Sequence, residues 1–400
     1  MNFRTLHDVE VRGKRVVVRE DLNVPMKDGK IADDTRLVAA LPTLRWLREH
    51  GARTIVLSHL GRPDGKVVPR LSLRPIAEEL GRRLGDSVAF ADDCVGPVAE
   101  AAAAQFRDGQ TVVLENVRFH PEEEANDPGF ARQLAALGEL YVNDAFGTAH
   151  RAHASTEGIA HDLPSVAGFL MEAELGALGT LMQNPAKPYV CAIGGAKVKD
   201  KVAVFFSLLE RVDAFIIGGG MANTFLAAQG VEVGSSLRDD DLSPAKQIFE
   251  RAKAKGVALH LPIDAIVSTS FDAEAEATPV GINRIGRRMV LDIGPETAAA
   301  YAAVLRQART IVFNGPMGVY EKPAYQNGTR TILAAIAEAT KNGAISVVGG
   351  GDAAAATHQL GFADQVTHLS TGGGATLEFL EGKTLPGIAA LEESAKNVRA

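Results

Sequence analysis

Cysteine is nearly missing from this chain. Its two cysteines, Cys94 and Cys191, stand far apart in 400 residues. They allow no disulfide framework and no CxxC zinc pattern, and they suit a reducing cytosol. An excess of positive charge is missing too. Lys and Arg number 42 against 49 Asp and Glu, for a net charge of −7, which argues against general affinity for nucleic acid or membrane surfaces. Long apolar runs are lacking. The longest notable uncharged stretch, Ala214 to Val231, holds four glycines, an Asn, a Thr and a Gln, and reads as strand, glycine loop and helix start rather than a membrane span. The N-terminal MNFRTLHDVE has no signal-peptide core, so a cytoplasmic location is expected. Familiar motifs are absent as well: no GxxxxGK[ST], GxGxxG, GxSxG or HExxH occurs. That removes the Walker loop, the dinucleotide fingerprint, the nucleophile elbow and the zincin helix.

What is present is glycine, 40 residues of it, in a chain that is 46% hydrophobic. The length implies two domains or one large α/β unit. Short apolar runs recur and end in polar or glycine-rich loops: RVVVREDLN, TIVLSHLGR, TVVLENVRF, LYVNDAFG, YVCAIGG, AFIIGGG, ALHLPID, TIVFNGP, ISVVGGG and VTHLSTGGG. Helical patterns lie between most of them, so the fold class is α/β with parallel sheets. The runs do not alternate, as expected of strands buried on both faces. Ligands of such sheets sit beyond the strands' carboxyl ends. There the first half carries Asp, Asn, His and Arg, and the second half mostly glycine. A side-chain-built basic site and a backbone-built site are expected, with the boundary near residues 165–181, whose latter part reads as a joining helix.

In the second half, GGAKVKDK (194–201) places three lysines after two glycines. A helix beginning near Val198 would set Lys197 and Lys201 on one face, converging on an anion at its N-terminus. A turn with surface lysines is the alternative. GGGMAN (218–223), GGGDAA (349–354) and STGGGA (370–375) each follow an apolar run, and glycine lets backbone approach a ligand closely. Several such loops at one sheet edge point to a nucleotide and its phosphates. Asp352 reads either as a helix N-cap or as a Mg2+ ligand beside phosphate oxygens. FNGPMGVYE (313–321) offers Asn314 and Glu321, the latter able to accept from ribose hydroxyls.

In the first half the candidates are Asp21 and Asn23 in REDLNVP, Arg36 in DDTR, His59 and Arg62 in SHLGRPDG, Arg118 in ENVRFH and Arg151 in TAHRAH. Arginine forks bind carboxylate and phosphate bidentately, so this set suits a small, strongly anionic molecule. Arg36 follows Asp33, Asp34 and Thr35, a plausible helix start, where dipole and guanidinium act together. No paired carboxylates announce acid–base work. Catalysis here would rest on positioning and positive charge, which is what phosphoryl transfer requires.

REDLNVP, SHLGRPDG, ENVRFH, TAHRAH, GGAKVKDK, GGGMANTF, FNGPMGVYE, VGGGDAA and STGGGA, in this order, resemble the phosphoglycerate kinase family from about residue 10 to about residue 390. The resemblance implies two doubly wound, Rossmann-like parallel-sheet lobes separated by a cleft and joined by an interlobe helix. Residues 1–170 with 386–400 would form the 3-phosphoglycerate lobe, and 171–385 the nucleotide lobe. It implies reversible transfer of a phosphoryl group between 1,3-bisphosphoglycerate and MgADP, directly and in line after lobe closure. Asp21, Asn23, Arg36, His59, Arg62, Arg118 and Arg151 would bind 3-phosphoglycerate, with Arg36 stabilising the transferring group. Lys197 and Lys201 would contact phosphates, and Gly372 and Gly373 would bind the transferring group through backbone. Gly195, Gly219, Asn314, Pro316, Val319, Glu321, Gly351, Asp352 and Ala353 would line the ATP/ADP site, with Glu321 on ribose and Asp352 on Mg2+. A cytoplasmic monomer, without nucleic-acid or membrane partners, is the expectation.

Two positions depart from the family's pattern. Glu20 stands where Val or Ala is usual, and strand alternation from Asp21 turns it away from the site. Ala353 stands where Thr or Ser is usual, which removes a hydroxyl contact to phosphate. Other readings remain open on the residues alone: a kinase for acetate, disfavoured by the surplus arginines; a nicotinamide dehydrogenase, disfavoured by the missing GxGxxG; and an inactive binding descendant.

Overall fold

The protein is described by a computed structural model covering residues 2–397. It divides into two compact units. One runs up to Gly176 and resumes from Thr384; the other is Ala177–Lys383. The division falls inside the helix Phe169–Gln183.

The first unit holds eight strands: β1 (Arg15–Arg19), β2 (Met26–Lys27), β3 (Lys30–Ile31), β4 (Arg53–Leu57), β5 (Ala89–Ala91), β6 (Thr111–Leu114), β7 (Leu140–Asn143) and β8 (Ser165–Ala167). β2 and β3 make a small antiparallel ribbon. The others form one parallel sheet in the order β5-β6-β4-β1-β7-β8. RVVVR shows why the runs are unbroken. Val16 and Val18 enter the core on one face, packed with the helices Thr35–Glu49 and Arg74–Leu84. Val17 enters the core on the other, with the helices Gly96–Gln105 and Pro128–Ala135. Successive side chains point to opposite faces, and both faces are covered. Each fully buried Val or Leu contributes roughly 1.5–3 kcal/mol. The helix Pro386–Asn397 belongs to this unit, where Ser394 Oγ accepts from Ser165 N at 2.9 Å. The expectation for residues 398–400 lies outside the described residues.

The second unit continues with β9 (Tyr189–Ile193), β10 (Ala214–Ile217), β11 (Ala258–His260), β12 (Asp264–Ser268), β13 (Thr278–Gly281), β14 (Met289–Ile293), β15 (Thr310–Asn314), β16 (Ile345–Val348) and β17 (His368–Leu369). Its parallel sheet runs β11-β10-β9-β15-β16-β17. The strand order reverses at β9, between β10 and β15. A doubly wound sheet opens its ligand crevice at such a switch point. β12, β13 and β14 form a separate antiparallel sheet in the order β13-β12-β14, which the sequence reading does not anticipate. β13 is largely exposed, and its TPVG pattern carries no apolar run.

Among the described residues, no helix is long and apolar enough to cross a membrane.

Candidate functional sites of the two units

In the first unit the carboxyl ends of β1, β4, β6 and β7 carry the polar residues. Arg36 is the second residue of the helix Thr35–Glu49, whose start is fixed by Thr35 N donating to Asp33 Oδ1 at 2.8 Å. Its Nη1 donates to Asp21 Oδ1 and to Asn23 O, both at 3.1 Å. Asn23 Oδ1 accepts from Gly61 N at 2.9 Å, and Arg118 Nη1 donates to Gly61 O at 3.0 Å. Asp21, Asn23, Arg36 and Arg118 thus share one loop framework. Arg118 is buried, with Nε 3.3 Å from Glu124 Oε1. Burial, with Arg19 nearby, lowers its pKa to about 10, so it stays charged at neutral pH.

His59 lies at the centre. Burial holds its pKa well below the usual imidazole range, and Arg19, Arg118, Arg36 and Arg151 add to the depression. Its Nδ1 is 3.1 Å from Arg19 Nη2. A guanidinium can only donate, so Nδ1 accepts, and the neutral ring carries its proton on Nε2. His59 is therefore a hydrogen-bond donor rather than a base at neutral pH. Arg151 is half-buried and donates from Nε to His150 Nε2 at 3.3 Å. Arg62 is exposed and has no hydrogen-bond or ion-pair partner among the described residues; nothing ties it to this cluster.

Three residues absent from the expected set, Arg19, Ser155 and Glu123, matter here. Arg19 is fully buried and donates from Nε to Ser155 Oγ at 2.8 Å. Ser155 in turn donates through Oγ and N to Glu123 at 2.6 and 2.8 Å, so a buried carboxyl stands behind the arginine. Strand alternation from Asp21 could have found Arg19, since i and i+2 share a face. Glu20 points the other way and is fully buried.

In the second unit, Gly195, Gly219, Pro316, Val319, Glu321 and Asp352 line one cavity of about 470 Å3, a size suited to a small-molecule ligand. Gly194 and Gly219 show why these loops need glycine. A Cβ on Gly194 would fall 2.0 Å from Pro316 O, and one on Gly219 would fall 2.8 Å from Gly195 N. The cavity's apolar wall comes from Leu237, Phe271, Met289, Leu291 and Met317. No local signal marks these side chains, because several belong to the antiparallel sheet or its connections. Asp292 also lines it. Burial lifts its carboxyl to about 8 despite bonds from Gly328 N and Ile293 N.

The expected helix start at Val198 is corrected: residues 198–201 are bend and turn, and the helix is Val202–Leu208. Asp239 Oδ2 takes the amide of Val198 at 2.7 Å and that of Lys199 at 3.4 Å, which holds the segment as a loop. The two lysines therefore do not share a helix face. Lys201 Nζ turns inward and donates to Gly194 O at 2.7 Å and Asn314 O at 2.8 Å, across the β9–β15 switch point. Burial lowers its pKa to about 8. Lys197 is half-buried and makes no hydrogen bond or ion pair among the described residues.

Asn314 is buried and donates from Nδ2 to Gly349 O at 2.6 Å, so it braces the glycine loop rather than facing the cavity. Gly350, at φ +96°, caps the helix Gly351–Gln359. Gly351 and Asp352 are exposed in its first turn, while Ala353 is buried in the core beneath. Asp352 makes no hydrogen bond or ion pair among the described residues, although its charge acts on Lys201. A free carboxylate beside backbone amides fits Mg2+, which takes one or two carboxylates and completes its shell with phosphate oxygens and water. Gly372 N donates to Ser370 Oγ at 3.2 Å, and Gly373 has φ +53° ahead of the short helix Gly374–Leu380.

A strongly anionic small molecule suits the first unit, and a nucleotide with its phosphates suits the second. Two doubly wound units so equipped define an α/β phosphotransferase. The chain belongs to the phosphoglycerate kinase family: the model of that family, phosphoglycerate kinase, matches residues 6–383. The phosphoglycerate kinase of Moorella thermoacetica is 54% identical over 97% of this chain and 99% of its own length. That of Chloroflexus aurantiacus is 54% identical over 98% of this chain and its full length. Among solved structures, phosphoglycerate kinase from Coxiella burnetii aligns with a TM-score of 0.91 at 44% identity, covering 98% of this chain and all of that one.

Proposed function

We propose that this chain transfers a phosphoryl group reversibly between 1,3-bisphosphoglycerate with ADP and 3-phosphoglycerate with ATP, in glycolysis or gluconeogenesis. As a member of its family it is an ATP-dependent phosphotransferase with a carboxyl acceptor. The observation that carries the substrate reading is the set of guanidinium groups, Arg19, Arg36, Arg118 and Arg151, acting together on a neutral His59. 3-Phosphoglycerate bears a carboxylate and a phosphate, and so much fixed positive charge suits a ligand with two anionic groups. His59 Nε2–H, Arg118 and Arg151 would bind and orient it, with Arg62 reaching in from the exposed loop. An acceptor carboxylate is already ionised at neutral pH, so the reaction needs no general base. A neutral, donating His59 accords with that.

Arg36 would stabilise the transferring group. Only its Nη1 is engaged, by Asp21 and Asn23, which leaves the rest of its donor fork for the oxygens of that group. In the second unit the glycine cavity would take ATP or ADP, with Glu321 on ribose, Lys197 and Lys201 on phosphates, and Gly372 and Gly373 offering backbone amides. Asp352 would hold Mg2+, which supplies neutralisation of phosphate charge when bound. The missing hydroxyl at Ala353 leaves the backbone amide as the local donor. A cytoplasmic monomer that binds neither nucleic acid nor membrane completes the proposal.

The test is ATP consumption with 3-phosphoglycerate, pulled forward by glyceraldehyde-3-phosphate dehydrogenase and followed as NADH loss. Turnover that needs this chain, Mg2+ and 3-phosphoglycerate is expected. Equal turnover with acetate, using ADP formation as the readout, would overturn the substrate reading.

A further inference from the structure

Away from the arginine cluster, three side chains with different metal-ligating chemistry meet in the first unit. Asp93 and Cys94 lie in the loop between β5 and the helix Gly96–Gln105. His120 lies 26 residues after Cys94 and opens the short helix Pro121–Glu124. One ligand atom from each of Asp93, Cys94 and His120 lies within 4.8 Å of the other two. His120 Nε2 is 2.8 Å from Asp93 Oδ1. Its ring packs on Phe130, with centroids 5.2 Å apart, so the imidazole is held in place. Cys94 is fully buried, whereas the Asp93 and His120 side chains are 41% and 29% exposed. The thiol forms the floor and the other two groups a rim open to water.

We propose that Asp93, Cys94 and His120 form a binding site for a thiophilic divalent cation of the zinc type, with water as the fourth ligand. The donor set chooses the metal. Sulfur and imidazole suit Zn2+ or Co2+ and disfavour Mg2+, which demands oxygen and octahedral geometry. Tetrahedral zinc holds its ligands at about 2.0–2.3 Å, which places neighbouring donors roughly 3.3–3.8 Å apart. The three ligand atoms now lie within 4.8 Å of one another, so binding requires them to draw together, with Asp93 giving up its contact with His120 to the metal. Charge favours the cation, because Asp93, Glu123 and Glu115 all act on the thiol. Binding then exchanges the S–H proton for a metal–sulfur bond, releasing about one proton per metal. The site also ties the β5 loop to the segment that carries Arg118 and Glu124.

The test uses the full chain and metal alone. Titration with Co2+ is expected to produce a thiolate-to-cobalt charge-transfer band that saturates at one equivalent, and Zn2+ is expected to abolish it. The band should vanish in Cys94→Ser. Because Cys94 is buried, His120→Gln, at a half-exposed position, gives a second variant; it should weaken binding at least tenfold while folding normally. Calorimetry in buffers of differing ionisation enthalpy should show the released proton. No band at equimolar Co2+, a band that survives Cys94→Ser, or affinity unchanged in His120→Gln would each overturn the proposal.

Discussion

Glu20→Gln tests the electrostatics of the first unit's core. β1 and β7 pair in parallel with Arg19 opposite Asn143, so Glu20 and Asp144 follow side by side. Asp144 N donates to Arg19 O at 2.9 Å, which holds that register. Asp144 Oδ1 accepts from Met171 N at 3.0 Å, at the start of the helix Phe169–Gln183. Its Oδ2 and both Glu20 carboxyl oxygens are buried with no hydrogen-bond partner. Burial, and then Asp144, push the Glu20 carboxyl well above its ordinary 4.5. Burial lifts Asp144 to about 6. Both folded values are raised, so the folded state keeps protons that the unfolded chain has lost. Stability is therefore unpenalised below the ordinary carboxyl values and falls as pH rises toward the folded ones. Each retained proton costs about 1.4 kcal/mol per pH unit across that window. Glutamine keeps the shape and cannot ionise. Below the ordinary carboxyl value the variant should match the parent, and as pH rises above it the variant should become progressively more stable than the parent, by about 1.4 kcal/mol per pH unit for as long as Glu20 keeps its proton. Urea unfolding across about pH 5 to 8 reads this directly. A stability difference that stays constant with pH would refute the reasoning.

Three other outcomes follow from the structure. Lys201 loses its proton near pH 8 in the free enzyme; nucleotide affinity should therefore weaken as pH rises through about 8, and Lys201→Met should abolish that dependence in ATP-binding calorimetry. Asp352→Asn should raise the Mg2+ concentration for half-maximal activity at least tenfold with little change in melting temperature, because the side chain is exposed and makes no hydrogen bond or ion pair among the described residues. Asp264 caps the helix Pro295–Arg306 through Glu296 N at 3.0 Å and Thr297 N at 2.7 Å; Asp264→Ala should cost about 2 kcal/mol or more in denaturant unfolding.

The apolar runs made both large sheets legible, because a strand covered on two faces must be apolar without interruption, as Val16, Val17 and Val18 are. Arg36, Asp21 and Asn23 were legible as candidates because Asp21 and Asn23 follow β1 by two and four residues and Arg36 sits just inside a helix. Lys201 turns toward the strand ends, but not by the helix face shared with Lys197 that the spacing suggests. Asp239, 41 residues from Val198, holds the loop that a local pattern reads as helix. Arg19 was overlooked because a charged residue closing an apolar strand reads as its boundary. Its burial depends on Ser155 and, behind it, Glu123, which no spacing rule connects to it. The cavity wall was invisible for a similar reason. Leu237, Phe271 and Met289 come from three separate segments and meet only once the antiparallel sheet is folded.

The central claim is that fixed positive charge in the first unit performs the chemistry, with Arg36 at its head. The most direct measurement compares turnover of the parent chain, Arg36→Lys and Arg36→Ala in the coupled 3-phosphoglycerate assay at saturating substrates. Loss of a charge-stabilising arginine costs about 10³–10⁵ in turnover in other phosphoryl-transfer systems. Arg36→Ala should fall in that range, with Arg36→Lys recovering only part of it because a lysine cannot reproduce the planar fork. Near-parental turnover in Arg36→Ala, from a folded protein that still binds 3-phosphoglycerate, would contradict the account.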